Sequence, residues 1–495
     1  MKLVFSAAVC GIVALAAGTA EAQPAPPPMV YSQSCAGCHG DDLNGGKAKS
    51  VFSQLVLAAH SDDELEHIIA AGDSAHGMPA FSGKLSGDQI AQLVAYLRIH
   101  GGMLAPPKPY EAPDGQVVHS LKQTFRVHVV ASGLMTPWGM AFLPDGRLLV
   151  TERDGRIRIV DHGKLLPDPV KGTPKAWVHQ DGGYFDIAVD PHYKKNGWVY
   201  LAYSELLPGY SGPIPPDGAV RNSGGAPMPP SMTRVVRAHI RNNEWVDQQD
   251  VFNPPARLFT STIIHYGSRL LFDHKGHLFW TQGERGDMRN AQNLSVPLGK
   301  IHRVNVDGSI PRDNPFVNRP GADPTIWTYG HRNPEGLSYD PRTGILWESE
   351  HGPTGGDEIN IIEKGHDYGW GVVSMGLQPG ITHQHEPGMD DPIAYYTPSI
   401  APSGMTFYTG NRYPGWKDNL FVGALVGQKL LRLTIEGRKI VSQEVVFNQF
   451  GRTRDVVQGP DGLLYLLVQR PTGRGTGVAV SASTPGAVIR LDPVK

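Results

Sequence analysis

A two-strand signature recurs through the last three quarters of this chain. Each copy is an apolar stretch, a D-G or P-x-x-G turn, and a second run rich in Val, Leu, Ile and aromatic residues. The first copy runs Trp138-Gly139-Met140-Ala141-Phe142-Leu143-Pro144-Asp145-Gly146-Arg147-Leu148-Leu149-Val150. Others cover Phe185 to Tyr203, Gly267 to Trp280, Gly336 to Trp347, Gly404 to Val422 and Asp455 to Leu467. Six copies at irregular spacing call for a radial array of small sheets, a six-bladed β-propeller. A pair of β-sandwiches competes, but it does not need so many equivalent hairpins. Phe125 to Val130, ahead of the first copy, is expected to complete the last blade and close the ring. Composition agrees, since 59 Gly and 42 Pro among 495 residues favour turns and short strands over long helices. With 45 basic and 47 acidic residues the net charge is −2, so nothing points to nucleic acid or an anionic membrane.

The N-terminal quarter reads differently. Met1 to Ala22 has the form of a secretory signal: Lys2, an apolar run from Leu3 to Ala17, and an Ala20-Glu21-Ala22 cleavage site. The run is too short for a membrane span, and bulky Val9 before Cys10 argues against a lipid anchor. Beyond the signal the only cysteines lie in Cys35-Ala36-Gly37-Cys38-His39. Two thiols at this spacing can add to the vinyl groups of a haem while the adjacent imidazole takes the iron, giving haem c. A redox dithiol or half a zinc site are the alternatives, and zinc would need two more ligands at matching spacing. A periplasmic location fits both the signal and haem attachment.

From about Val30 to Gly102 the pattern is short and helical. Ser61-Asp62-Asp63-Glu64 and Ser86-Gly87-Asp88-Gln89 are capping boxes ahead of apolar runs, and Gly101-Gly102 ends the second helix. Between the helices, Met78 in Gly77-Met78-Pro79-Ala80-Phe81 is a candidate sixth iron ligand opposite His39, with His60, His67 and His76 as rivals and a core methionine as the plain alternative. The segment resembles a small class I cytochrome c, whose sixth ligand lies in such a G-M-P loop, and the resemblance implies Met78. The expected organisation is thus a signal over 1–22, an all-α cytochrome c domain over 23–104, a proline-rich linker over 105–123, and the all-β propeller over 124–495.

Candidate chemistry sits in the loops. His265 opens one hairpin and Glu284 follows its second strand, so a carboxylate can meet and orient an imidazole; a satisfied histidine near a turn is the alternative. Gly330 to Pro334 and Ser349 to Glu358 are dense in Gly, Pro and polar groups that suit a hard cation such as calcium. Arg452 and Arg454 alternate on one strand, a clamp for a carboxylated ligand, although single arginines are more often solvated. The Gly/Pro-rich stretch Pro208 to Pro230 is a long excursion of the kind that rims a site.

From about Thr124 onward the chain resembles the soluble quinoprotein glucose and aldose-sugar dehydrogenases, the glucose/sorbosone dehydrogenase family. The most specific pieces are the His265-to-Glu284 hairpin, Gly330 to Gly336, Gly352 to Trp370 and Arg452 to Gly462. The resemblance implies pyrroloquinoline quinone and calcium as cofactors, a sugar substrate, His265 as general base and Glu284 as its partner. It further implies Arg332, Asn333, Arg452 and Arg454 on the quinone, the backbone of Gly352 and Pro353 on a calcium at the quinone, and Glu358 and Tyr368 at a structural calcium. Two positions depart: Asp181 stands where the family commonly has a quinone-contacting Gln, and Val426 where it commonly has Lys, with Lys429 nearby. The expected activity is oxidation of an aldose or related hydroxyl compound, with electrons passing to the haem and on to a downstream acceptor. A calcium-dependent propeller hydrolase of the lactonase kind, or a non-catalytic binding propeller tethered to a cytochrome, are the rival readings.

Overall fold

The computed structural model describes residues 29–39, 60, 62–100, 111–215, 227–448, 450–472 and 483–494. The expected signal, Ser61, the Gly101-Gly102 stop and residues 216–226 of the 208–230 excursion lie outside them. The chain separates into two compact units, one built on Met1–Phe52 and Asp62–Ala105, the other on Ser53–Ser61 and Pro106–Lys495.

The smaller unit is helical over Met29–Ser34, Ala36–His39, Asp62–Ala71 and Gly87–His100. The Ser86 box closes reciprocally: the Gln89 N–H donates to Ser86 Oγ at 3.3 Å and the Ser86 N–H to Gln89 Oε1 at 2.9 Å. Apolar residues at helical spacing, Leu65 and Ile69 on one helix and Ile90, Leu93, Val94 and Leu97 on the other, are buried. Gly72 ends the Asp62–Ala71 helix at φ 73°, and a Cβ there would lie 2.6 Å from Ala80 N. Only glycine therefore lets the 77–80 loop fold back on the helix end.

The larger unit contains six antiparallel sheets, five of four strands and one of five. The first two strands of each are Pro137–Phe142 with Leu148–Glu152, Tyr184–Val189 with Trp198–Leu206, Leu270–Phe272 with His277–Gln282, Pro334–Tyr339 with Leu346–Glu350, Pro402–Phe407 with Leu420–Ala424, and Arg452–Gln458 with Leu464–Gln469. Every copy of the sequence signature thus falls on the inner hairpin of a blade. First strands of neighbouring blades touch one another around the ring. Strand-end hydroxyls join blade to blade: Thr151 Oγ1 accepts the Gly139 N–H at 2.9 Å and donates to Phe185 O at 2.5 Å. Thr281 repeats the device between Arg269 and Pro334 O.

Ring closure follows the expectation. Thr124–Met135 pairs with the C-terminal strand Pro485–Pro493, from Phe125 opposite Pro493 to Met135 opposite Pro485. Joining the two ends of the propeller in one sheet removes the open edges that a row of blades would otherwise leave. Val117–His119, inside the stretch read as linker, adds the fifth strand, with Val117 opposite Arg126. The prolines end at Pro113, so the residues after it have free N–H groups for a ladder. Three first strands are also tied by a buried charge cluster, in which Arg269 lies 3.1 Å from Asp455 and 3.3 Å from Asp186.

Candidate active site

In an antiparallel hairpin the start of the first strand and the end of the second share one rim, as with Pro334 opposite Glu350 and Arg452 opposite Gln469. Repeating this around six blades gathers loops from distant sequence on one face. Almost all propeller residues singled out above lie there.

His265 precedes the first strand of the third blade at φ 56°. Its N–H donates to Asp181 Oδ2 at 3.3 Å, and a Cβ on Gly283 would lie 2.2 Å from its carbonyl oxygen. The imidazole Nδ1 is 2.7 Å from Glu284 Oε1, and the Glu284 side chain is 3 % exposed. Glu284 also accepts the Gly286 N–H, and its own N–H donates to Arg332 O at 2.9 Å. An ionised carboxylate only accepts, which assigns the proton to Nδ1 and leaves the Nε2 lone pair available as a base.

Arg332 and Asn333 enter from the next blade. Arg332 donates to His351 O at 3.0 Å and its ring-facing side lies over Trp370. Both ends of the Asn333 amide are committed to protein: Oδ1 accepts the Gly267 N–H at 3.0 Å and Nδ2 donates to Glu335 Oε1 at 3.1 Å. Arg454 forms a 2.6 Å ion pair with Glu335. Arg452 reaches Thr472 O at 3.5 Å, and a bulge between Thr453 and Asp455 separates the environments of the two arginines. Burial, then the charge of Arg454, pushes Arg452 down to about 9. Burial also lowers Arg153, Arg332 and Arg454. Among the described residues the buried Nε atoms of Arg332 and Arg452 have no hydrogen-bond partner. Unsatisfied, poorly hydrated guanidinium groups on one rim suit a ligand with several carboxylates.

Arg332, Gly352, Pro353, Tyr368 and Trp370 line a cleft beside this face. The Gly352 N–H is held by Asp357 Oδ1 at 2.9 Å. Beneath it, buried His331, Glu348 and Glu350 bring ligand atoms within 4.8 Å of one another. Asn360 Nδ2 links Glu348 to Glu358, 3.1 Å from each. Burial, then Glu350, raises both Glu348 and Glu358 well above the ordinary carboxylate range. Converging buried carboxylates fit a hard cation. The Tyr368 hydroxyl donates to Ile361 O at 2.6 Å and accepts the Glu363 N–H at 2.8 Å, so its backbone carbonyl is what it can offer a cation.

In the smaller unit Cys35 is half-buried and Cys38 exposed. The Cys38 and His39 N–H groups both donate to Cys35 O, at 3.1 and 2.9 Å, coiling the motif so that both sulfurs and the imidazole are carried on one turn. Met78 is half-buried, whereas His67 is exposed and His76 is paired with Asp73 at 2.7 Å.

The model of the family described as Glucose / Sorbosone dehydrogenase matches residues 134–477. The chain belongs to this family. Residues 22–97 match the model described as cytochrome C oxidase, cbb3-type, subunit III, so the dehydrogenase domain is fused to a cytochrome c domain. Aldose sugar dehydrogenase YliI of Escherichia coli is 36% identical over 359 residues, covering 71% of this chain and 91% of the relative. A solved apo structure of the E. coli aldose sugar dehydrogenase aligns with a TM-score of 0.64 at 33% identity, covering 75% of this chain and 100% of that one. The PQQ-bound aldose sugar dehydrogenase of Streptomyces coelicolor aligns at 0.55 and 26% identity, covering 77% and 100%. Among the described residues of this family member, no helix is long and apolar enough to cross a membrane.

Several residues of this candidate site in the glucose/sorbosone dehydrogenase domain escaped the sequence. Glu335, Arg153 and Glu348 are ordinary strand or turn residues in one dimension, whereas His331 and Glu350 lie in the two stretches expected to suit a cation. The one available signal was the Thr/Ser-Glu/Gln pair ending second strands, at Thr151-Glu152, Thr281-Gln282 and Ser349-Glu350.

Proposed function

We propose that this chain is an exported pyrroloquinoline quinone-dependent dehydrogenase that oxidises an aldose or related hydroxyl compound and passes the electrons to its own haem. The observation that carries the proposal is the His265–Glu284 pair, at 2.7 Å, joined through the Glu284 N–H to the same loop that presents Arg332. A base alone would serve a hydrolase equally; a base tied to an arginine-rich face with unsatisfied donors favours a polyanionic redox cofactor.

In this proposal His265 Nε2 takes the substrate hydroxyl proton, and Glu284 holds the ring in the competent tautomer and stabilises the imidazolium that forms. Arg332, Arg452 and Arg454 would hold the quinone's carboxylates and Asp181 would border it, while Asn333, implied by the resemblance to touch the quinone, has its amide engaged by Gly267 and Glu335 and would brace the loop beneath. The carbonyls of Gly352 and Pro353 would hold a calcium at the quinone, and Glu358 and the Tyr368 carbonyl would hold a structural calcium. Cys35 and Cys38 would attach the haem, and His39 and Met78 would hold its iron. The chemistry supplied by the bound groups is hydride acceptance by the quinone, its polarisation by calcium, and single-electron acceptance by the haem. Export by the Met1 to Ala22 signal puts the enzyme in the periplasm, where a cytochrome or oxidase can take the electrons onward.

The test is to add pyrroloquinoline quinone and calcium to the purified full-length protein, offer a panel of sugars and follow the haem absorbance. Sugar-dependent haem reduction is expected. Lactone hydrolysis without reduction would replace the proposal with the hydrolase, and neither response would leave a binding propeller.

A further inference from the structure

The strands Leu346–Glu350 and Asp357–Ile362 pair so that Glu348 stands opposite Asn360 and Glu350 opposite Glu358. Residues two apart on a strand share a face, so these four polar side chains lie together inside the fourth blade. His331 enters from the loop ahead of the blade, fully buried, with its ring stacked on Tyr368 at a centroid distance of 4.7 Å. Its Nε2 is 2.9 Å from Thr328 Oγ1 and its Nδ1 is 3.3 Å from Glu350 Oε1. One ligand atom each from His331, Glu348 and Glu350 lies within 4.8 Å of the other two.

The charges there are poorly answered by the protein. Among the described residues, His331 is the one basic side chain within ion-pair distance of Glu348, Glu350 or Glu358. Glu350 Oε2 accepts the Arg332 N–H at 2.6 Å and Glu348 Oε2 accepts the Asn360 amide at 3.1 Å. Glu348 Oε1 is buried and has no hydrogen-bond partner among the described residues. A proton placed on that oxygen would find no acceptor in reach, so protonation leaves the atom unsatisfied. A cation about 2.0–2.4 Å from each ligand spaces neighbouring ligand atoms roughly 3–3.5 Å apart and opposite ones up to nearly 5 Å, which is the spacing found. The histidine agrees. With its ring proton on Nε2, donated to Thr328 Oγ1, Nδ1 turns a lone pair toward Glu350, and a cation removes the repulsion between the two acceptors. The opposite tautomer would make an N–H···O⁻ bond, whose usual length of about 2.7–2.9 Å is shorter than the 3.3 Å present.

We propose that His331, Glu348 and Glu350 hold a first-row divalent cation of the zinc type, at a site separate from the calcium positions read at Gly352–Pro353 and at Glu358–Tyr368. The Asn360 amide divides it from the second of these, since Nδ2 donates to Glu348 and to Glu358 alike. The imidazole sets the metal class, because calcium takes oxygen ligands whereas a mixed nitrogen and carboxylate set suits zinc. Glu350 also lines the cleft beside Arg332, which supplies an entry path. An ion on Glu350 Oε1 fixes the carboxylate whose other oxygen holds the Arg332 N–H, and so locks the loop that presents Arg332.

The experiment strips the full-length protein with a chelator, restores excess calcium to fill the oxygen-lined positions, and titrates with zinc. The readouts are melting temperature and the zinc retained after dialysis. The melting temperature of the parent is expected to climb with zinc, as binding to the folded state alone requires. Glu348→Gln and His331→Gln should each weaken zinc binding at least about tenfold, which loss of even an outer partner costs a metal site. X-ray absorption at the zinc edge of the parent needs no variant to fold, and should show one imidazole nitrogen with oxygens at about 2.0–2.2 Å. A parent that takes up no zinc overturns the proposal and leaves the cluster a proton-sharing structural pin. Equal zinc binding by a folded variant overturns it in favour of surface histidines, and sulfur around the zinc in favour of Cys35 and Cys38. Displacement of the zinc by calcium overturns the metal class and makes the site an all-oxygen one.

Discussion

Replacing Glu284 by Gln tests the dyad with little change in shape. The carboxylate lies 2.7 Å from His265 Nδ1 and is almost fully shielded from water, with its side chain 3 % exposed. A charge-assisted hydrogen bond of this kind contributes about 1.5–3 kcal/mol. If that stabilisation is felt only as His265 becomes cationic, its loss slows turnover by roughly 10- to 150-fold, since 1.4 kcal/mol is about a factor of ten. A second effect adds to the first. Glu284 uses its other oxygen for the Gly286 N–H, so a Gln keeping that bond turns its NH₂ toward the imidazole. Nδ1 must then accept, Nε2 carries the proton, and the base is lost, which moves the expected loss toward the 10²- to 10⁴-fold span of general-base catalysis. The assay is sugar oxidation by quinone-loaded enzyme with a soluble dye as acceptor, so that the haem step does not limit the rate, alongside a direct quinone titration. Expected is a large fall in kcat with quinone affinity within about threefold of the parent. Turnover within about twofold of the parent would refute the reasoning; a fall explained by lost quinone would refute the assignment of Glu284 to the base.

Two further outcomes follow from buried charge. Arg452, pushed down to about 9 by burial and by Arg454, burdens the fold and serves the ligand, so Arg452→Met should raise the melting temperature of the quinone-free protein while weakening quinone binding at least tenfold; a variant with unchanged affinity would remove Arg452 from the cradle. Glu348 and Glu358 are raised by burial and by Glu350, so above the unfolded-chain value of about 4.3 the folded state holds more protons than the unfolded one, and stability falls as pH rises through the raised folded values. Chelator-treated protein should therefore melt lower at pH 8 than at pH 5 and recover at pH 8 when calcium is added; a chelated protein as stable at pH 8 as at pH 5 would refute this.

Local chemistry made much of this protein legible without coordinates. Hairpin turns and apolar runs are short-range features, so the inner hairpins of all six blades could be counted along the chain. The Ser86-Gln89 cap obeys the same local rules. His265 and Glu284 were legible because one hairpin connects them and its antiparallel strands return to the same rim. Val117–His119 was misplaced in a linker because three residues carry too little pattern to compete with the prolines before them.

Sequence alone therefore determined the repeating unit, the haem-type motif and the pairing of one imidazole with one carboxylate, since each is written within a stretch the chain can close by itself. Tertiary structure decided the rest of the candidate site. Glu335 and Arg454 form an ion pair although they belong to different blades, and Glu348, Glu350 and Glu358 converge only when two strands pair. Ring closure by Thr124–Met135 against Pro485–Pro493 brings those loops to one face, and contact between blades depends on geometry that the linear pattern does not encode.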